Sequence, residues 1–473
     1  MNKETYLTEY PKHESMRENV KKDKNRLHFH MMPPTGWMND PNGLCEFQGV
    51  NHIYFQYTPF LAGWGTKLWG HYTTKDWIHY KEEEPFLYPD EEWDRDGVYS
   101  GSAYTCEDGI HYFYTGNVKL WDKDYDYIMN GREQNTIHVF SPDGKNIAYK
   151  KLVMTNDDYP VNMSKHVRDP KIYKKDGRYY MIQGGRDAES YGCALLFCSD
   201  DLEHWKWYDT VRTAKPFGYM WECPDLFEID GQQIMTCCPQ GVDQKGYDYQ
   251  NVYQCGYFPV EFDLKNKSYS FGKFQEFDKG FDIYATQTFA DEAGRRILIG
   301  WMGIPDADYD NDATVAYDWI HELTMPRELE WKDGKILQHP LKEMKDLRKN
   351  AFTCELEAFT KWAPADCCFE LRLDVEEAKN LELKLREDGL FTLSMGESGR
   401  GRKQRFAKVE ELSDITIFSD TSAIEIFINN GETVLTTRVY SEHLEQKVEL
   451  VSREVKGSVH GYELGSFEVE YKK

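Results

Sequence analysis

Between residues 26 and 335 one pattern recurs: a polar cluster, an apolar strand, a tight turn and a second strand. Leu44 to Tyr57 shows it around Gly49-Val50-Asn51, Ser102 to Tyr114 around Asp108-Gly109, and Lys171 to Ile182 around Asp176-Gly177. Leu226 to Thr236 repeats it around Asp230-Gly231, and Gln287 to Gly300 around Ala293-Gly294. Such turn residues between apolar runs predict β-hairpins. A second element follows some hairpins. Thr74-Lys75-Asp76-Trp77-Ile78-His79-Tyr80 resembles Ser199-Asp200-Asp201-Leu202-Glu203-His204-Trp205, with a weaker version at Ser141-Pro142-Asp143-Gly144-Lys145. Each would turn a third strand into a fourth. The polar clusters are anchored at Asp40, Ser100, Asp169, Glu222 and Tyr284, in steps of 60, 69, 53 and 62 residues. Four strands per unit at such a period, five times over, predict a five-bladed β-propeller.

In that architecture the first strand of each unit faces the central channel, so residues at the strand starts converge at one end of the axis. Asp40, Asp169 and Glu222 would then share one funnel at one register of three repeats. Asp40 lies in Trp37-Met38-Asn39-Asp40-Pro41-Asn42-Gly43. Pro41 biases Asp40 away from the helical region, which holds its carboxylate in one direction. Asp40-Pro41 and Asn42-Gly43 read locally as a turn.

Beyond residue 335 the pattern changes. Residues 336–350 read as a short charged linker, possible as a helix. Residues 351–473 alternate apolar and polar, as in Phe369-Glu370-Leu371-Arg372-Leu373, Leu381-Glu382-Leu383-Lys384-Leu385 and Ile424-Glu425-Ile426-Phe427-Ile428, followed by Asn430-Gly431. This predicts an antiparallel β-sandwich that supports the propeller structurally. The expected division is an N-terminal tail with the propeller over 1–335, the linker, and the sandwich over 351–473. Residues 1–25 read as a tail or short helix packed on the surface.

With 57 Lys and Arg against 81 Asp and Glu, the formal charge of -24 argues against nucleic acid or an anionic membrane as partner. No apolar run is long enough to span a membrane. Met1 to Asn25 lacks the apolar core of a signal peptide, which makes a cytoplasmic location the expectation. The 11 cysteines show no Cys-x-x-Cys pair, so reduced thiols are expected, and neither a disulfide framework nor a zinc site. The neighbours Cys237-Cys238 and Cys367-Cys368 belong to that set. His28 and His30 read as packing or hydrogen-bonding residues. No cofactor or metal is expected.

Carboxylates that share a pocket split in pKa, which equips them to cleave a glycosidic bond: one attacks the anomeric carbon and another protonates the leaving oxygen. The chain has no Gly-x-x-x-x-Gly-Lys loop, Gly-x-Ser-x-Gly elbow or His-Glu-x-x-His helix.

The stretch from Trp37 to Gly43, Arg168-Asp169-Pro170 and Trp221-Glu222-Cys223-Pro224-Asp225 resemble three signature motifs of the β-fructofuranosidases, the invertases, sucrose-6-phosphate hydrolases and fructanases of glycoside hydrolase family 32. Phe55-Gln56-Tyr57, Trp69-Gly70-His71, Tyr99-Ser100-Gly101-Ser102-Ala103, Gly300-Trp301-Met302 and Leu323-Thr324-Met325-Pro326-Arg327-Glu328-Leu329 match further, in the expected order. The resemblance implies a five-bladed propeller with a β-sandwich and a retaining mechanism through a fructosyl-enzyme intermediate. It implies Asp40 as nucleophile, Glu222 as general acid and then base, and Asp169 as the transition-state stabiliser that grips fructose hydroxyls. Arg168 is similar to the arginine that holds the sugar and influences Glu222. Asn39, Gln56, Trp64, Tyr99, Ser100, Tyr284 and Trp301 resemble residues lining the fructose subsite. Cys223 could tune the acid through its thiol, or simply pack.

Sucrose or sucrose 6-phosphate is the implied substrate. The alternatives are exo-acting hydrolysis of short fructo-oligosaccharides, inulin or levan, an inverting propeller glycosidase, and a propeller that binds sugar without catalysis. Lys67, Arg132 and Arg186 have loop positions that could suit a phosphate, but the plainer expectation for each is a solvated surface charge. A homodimer formed through the sandwich is compatible with the chain.

Overall fold

The computed structural model describes residues 1–121, 126–355, 359–362, 369–372, 376–377, 381–385, 390–409, 411–440, 448–451 and 458–472. Cys367, Cys368 and Leu373 lie outside the described residues. The chain is built almost entirely of strands. Two helices open it, Lys3–Glu9 and Pro11–Val20, where a single short helix or tail was expected. No described helix is long and apolar enough to cross a membrane.

Five successive sheets follow, each built on a four-strand antiparallel meander; the first adds Trp319–Ile320 and Glu468–Glu470 in parallel at its two edges, and the fourth adds Gln275–Glu276. Their first strands are Gly36–Phe47, Val98–Cys106, Met163–Lys175, Met220–Ile229 and Tyr284–Ala290. These first strands touch their neighbours in turn, and the last touches the first. One apolar cluster lies between each pair of neighbouring sheets. Phe47, Tyr54, Ile110 and Tyr112 fill the first gap, and Phe113, Ile172 and Phe197 the second. Leu196, Leu226 and Phe258 fill the third, and Ile234, Leu298 and Leu329 the fourth. Phe55, Tyr72, Ile297 and Ile299 join the fifth sheet back to the first.

The turns account for the repeats. Asp176-Gly177 and Asp230-Gly231 have φ of 51° and 79°, and 49° and 82°, the paired left-handed geometry that matches strand twist in a two-residue hairpin. The first hairpin turns at Gln48-Gly49, one residue earlier than expected, because Phe47 pairs with Val50. The Thr74 and Ser199 segments form the same turn. Their hydroxyls accept from the backbone N–H of Trp77 and Leu202, and Asp76 and Asp201 accept from the two N–H groups beyond. Asp143 accepts in the same way from Lys145 and Asn146.

Two boundaries differ from expectation. Lys335–Pro340 is the outer strand of the fifth sheet, so residues 336–340 are no linker; Lys342–Leu347 is a short 3-10 helix. Near the C-terminus, Glu468–Glu470 pairs in parallel with His79–Glu82 at the edge of the first sheet. That edge is thereby covered rather than left open. Between these lie two six-stranded sheets that share a core of Phe391, Leu393, Ile417, Ile424, Ile426 and Leu435.

The two sheet systems are joined by a fully buried ionic web. Arg327 opens the third strand of the fifth sheet and donates to Glu425 at 2.9 and 2.6 Å, to Thr436 at 2.6 Å and to Asp278 at 3.3 Å. His30 bridges Asp420 at 2.9 Å and Glu425 at 3.0 Å. A Cβ at Gly431 would sit 1.9 Å from the carbonyl oxygen of Gln338, so only glycine allows the hairpin to approach the fifth sheet.

Removing one partner of a buried ion pair strands the other without solvation. Arg327→Met should therefore destabilise the protein by about 3–5 kcal/mol, read from the denaturant midpoint. Burial alone would lower the pKa of His30, but its bonds to Asp420 and Glu425 hold it up to about 9 from 6.5. Stabilisation from this group is complete below 6.5 and fades as pH rises through about 9. The difference in thermal midpoint between wild type and His30→Gln should narrow over that window; a constant difference would refute the linkage.

Candidate active site

Every inner strand breaks register where it meets the axis, and the first and third do so a second time. At the axis two residues oppose one on the neighbouring strand: Asn39-Asp40 against Gln56, Tyr99-Ser100 against Thr115, Asp169-Pro170 against Gln183, Cys223-Pro224 against Cys237, and Ala285-Thr286 against Gly300. These are β-bulges, which bend the strand and re-aim side chains. Asp169, Cys223 and Ala285 take left-handed φ of 64°, 47° and 47° there. The acids share the bulge but not one register as expected. Asp40 is its second residue, Asp169 its first, and Glu222 immediately precedes it. Asn42-Gly43 does not reverse the chain either. It lies in the continuous strand Gly36–Phe47 at a second bulge, with Gly43 at φ 52°.

The bulges surround a cavity of about 750 Å³, and all twelve candidate residues line it. Asp40 is half-buried; its Oδ1 accepts from Asn39 Nδ2 at 2.9 Å and its Oδ2 from Ser100 Oγ at 2.5 Å. Gln56 Nε2 donates to Ser100 Oγ at 3.1 Å, and Trp37 Nε1 to Asn39 Oδ1 at 2.8 Å. Glu222 is held from three sides. Arg168 donates Nε and Nη2 to Oε1 at 2.8 and 2.6 Å, while Gln240 Nε2 and Tyr284 Oη reach Oε2 at 2.8 and 2.5 Å. Asp169 accepts the Cys223 backbone N–H at 2.9 Å, and its own N–H bonds Thr115 Oγ1 at 3.0 Å.

Cys223 thus meets the site through its backbone amide. Its thiol packs with Cys238 and Cys255 in the core between the fourth and fifth sheets, and that contact and burial raise its pKa, keeping it protonated. Trp301 is buried edge-on to His321 at 5.0 Å, its Nε1 unpartnered among the described residues. Trp64 stands 62% exposed at the mouth, against Trp37 at 5.9 Å. Tyr99 is half-buried, and its carbonyl accepts from Trp69 Nε1 at 3.1 Å.

The three cations are not solvated surface charges. Lys67 is buried, bonds Thr58 and lies over Trp37 and Trp64 at 4.6 and 4.7 Å. Arg132 is buried in the cavity wall. Arg186 is half-buried, bonds Ser190 and lies over Tyr219 at 4.7 Å. Arg132 and Lys67 belong to hairpin strands or abut them, so a loop reading misplaced them. Gln240, His166, Tyr253 and His321 also line the cavity and were missed. Gln240 had a signal: Glu222 pairs with Cys238, so Gln240 lies two residues along on the same face.

Burial raises the pKa of Asp40, a charged Glu222 adds to it, and the bonds from Ser100 and Asn39 oppose it. Burial also pushes Asp169 up to about 7; Arg168 opposes this, while Glu222 and Asp40 reinforce it. Ser100→Ala removes a donor to the ionised form of Asp40, so its carboxyl titration, followed by carbon NMR, should move to higher pH. An unmoved titration would show that Ser100 does not stabilise the carboxylate.

The models for the N-terminal domain and the C terminal of glycosyl hydrolases family 32 match residues 30–340 and 366–469. A sucrose-6-phosphate hydrolase of Bacillus subtilis is 38% identical over 438 residues, 88% of this chain and 89% of that protein. The solved structure of a sucrose-6-phosphate hydrolase from Lactobacillus gasseri superposes at a TM-score of 0.87 and 28% identity, covering 96% of both chains. A mutant β-fructofuranosidase of Bombyx mori, solved in complex with sucrose, superposes at 0.82 and 27% identity, covering 99% of this chain and 100% of that one. The chain is a glycoside hydrolase and belongs to glycosyl hydrolases family 32.

Proposed function

We propose that the protein is a retaining β-fructofuranosidase that hydrolyses the terminal fructosyl bond of sucrose or sucrose 6-phosphate. The observation that carries this reading is the convergence of Asp40, Asp169 and Glu222, each from a different sheet, on one cavity. The names of the relatives favour the same substrates. On this reading the five sheets are the blades of a five-bladed β-propeller, supported by the five apolar clusters between them. The two six-stranded sheets are then a C-terminal β-sandwich.

The chemistry follows from the donors each acid holds. The Asp40 carboxylate, aimed by Asn39 and Ser100, attacks C2 of the fructosyl unit as the C2–O bond breaks. Glu222, as the acid, gives its proton to the departing oxygen. Glu222 then takes a proton from water, whose oxygen attacks C2 and frees Asp40. Asp169 accepts from fructose hydroxyls and stabilises positive charge growing on the ring. Arg168 acts on Glu222 and the sugar together. Asn39, Gln56, Trp64, Tyr99, Ser100, Tyr284 and Trp301 shape the fructose subsite.

Asp40→Asn should lower kcat on sucrose by a factor on the order of 10⁴ while the fold is kept. Glu222→Gln should lower it by roughly 10²–10⁴-fold. Retained turnover in Asp40→Asn would remove the nucleophile assignment. The acid limb of the kcat/KM profile reports Asp40 losing its proton, so Ser100→Ala should move that limb to higher pH. The ratio of kcat/KM for sucrose, sucrose 6-phosphate and 1-kestose selects among the substrates.

A further inference from the structure

One wall of the cavity carries positive charge that the reaction does not use. Arg132 is 97% buried there, on the third strand of the second sheet, Arg132–Ser141. It forms no ion pair among the described residues, and its Nε has no hydrogen-bond partner. Its Nη2 donates to the Tyr127 hydroxyl, and its guanidinium lies 4.2 Å from the centre of that ring. Nη1 meets His166 Nδ1 at 3.4 Å, and Arg168 Nη1 meets the same nitrogen at 3.1 Å. Guanidinium groups only donate, so Nδ1 is the acceptor and the proton of a neutral imidazole sits on Nε2. That nitrogen is buried and also lacks a partner among the described residues. Burial and the nearby guanidinium groups hold His166 neutral, with its pKa down to about 2.

Two arginines thus flank one histidine, and Glu222 pairs with only one of them. A chain of formal charge -24 has carboxylates to spare, yet none of those described neutralises Arg132. Across the ring, the segment after the fifth sheet's second strand brings Asp306, Asp310 and Asp312 to the cavity, so the charge is lopsided. Contacts run from Glu222 through Arg168 and His166 to Arg132. The general acid must stand beside the leaving oxygen, so this path joins Arg132 to the part of the site where the bond breaks.

We propose that Arg132, presented by Tyr127, is the seat for a phosphate monoester on the leaving sugar and selects sucrose 6-phosphate over sucrose. The inference rests on the fructosidase reading above and names the substrate class of that site. A dianionic phosphate supplies the acceptor oxygens and the charge that this wall lacks, in the charge-assisted geometry for which arginine is suited. Sucrose offers only a neutral hydroxyl at that position, and leaves the guanidinium unpaired.

The test is the ratio of kcat/KM for sucrose 6-phosphate to that for sucrose, in wild type, Arg132→Gln, Arg132→Lys and Tyr127→Phe. Loss of a charge-assisted contact should lower the ratio by about 10- to 100-fold in Arg132→Gln. Arg132→Lys should fall between, and Tyr127→Phe should show a smaller drop. If Arg132→Gln fails to fold, wild type decides alone. Added salt should weaken sucrose 6-phosphate turnover more than sucrose turnover, and equal response overturns the inference. Calorimetric titration of wild type with glucose 6-phosphate and glucose gives an independent readout. Tighter binding of the phosphorylated sugar supports the inference, and equal binding overturns it. Sucrose turnover without preference for the phosphorylated sugar overturns the inference and leaves the fructosidase reading standing. Turnover of neither sugar sinks that reading, while the titration still decides whether the wall binds phosphate.

Discussion

Antiparallel pairing sends alternate side chains to opposite faces, so a regular strand cannot present consecutive residues to one site. The bulge in each inner strand lifts this restriction where the five strands meet. At the first sheet it lets Asn39 and Asp40 serve the cavity together, with Gln56 opposite them. At the third it lets Arg168 and Asp169 do the same, and at the fourth it leaves Glu222 on the cavity while the Cys223 amide turns to Asp169. The acids then depend on donors from neighbouring sheets. Ser100 of the second sheet holds Asp40 of the first, Arg168 of the third and Tyr284 of the fifth hold Glu222 of the fourth, and the Cys223 amide of the fourth holds Asp169 of the third. No acid is oriented by its own sheet alone, so the site forms only when the sheets pack.

Charge burial is the second constraint. Burial first, and then the neighbouring carboxylates, raise the pKa of Asp40 and Asp169, and among the described residues only Arg168 forms an ion pair with one of the three acids. Beneath the cavity a second set of buried charges ties the sheet systems together. Arg438 of the C-terminal portion donates to His321 at 2.8 Å, and His321 packs on Trp37 and Trp301 at 4.4 and 5.0 Å. The C-terminal sheets therefore contact the cavity wall through His321. Such pairs add little net stability, but breaking one is costly because the remaining charge stays buried.

Much of this was legible in the residues. Hairpin turns are local, so Asp176-Gly177 and Asp230-Gly231 announced themselves; the five anchors gave the repeat and the convergence of Asp40, Asp169 and Glu222, while the family likeness supplied the other expected residues of the cavity. The turn shared by Thr74, Ser141 and Ser199 was visible for the same reason: a hydroxyl and an Asp two residues later cap the backbone wherever they occur. Errors arose where a local signal competed with pairing. Asn42-Gly43 has turn chemistry, but the ladder with the second strand continues past it and converts it to a bulge. Residues 336–340 look like a charged linker because an outer strand has one wet face.

The residue order carried the period, the turn chemistry, the acids and their family likeness, since all of these are properties of short stretches. Burial of Arg132 and Lys67, the packing of the Cys223 thiol against Cys238, and the bond from Gln240 to Glu222 came only with the tertiary structure. Each depends on groups far apart in the chain, and on which strand face meets which neighbour once the sheets have packed. A cation's sequence context gives its charge; only the packed fold decides whether a carboxylate, an aromatic ring or an open wall of the cavity stands beside it.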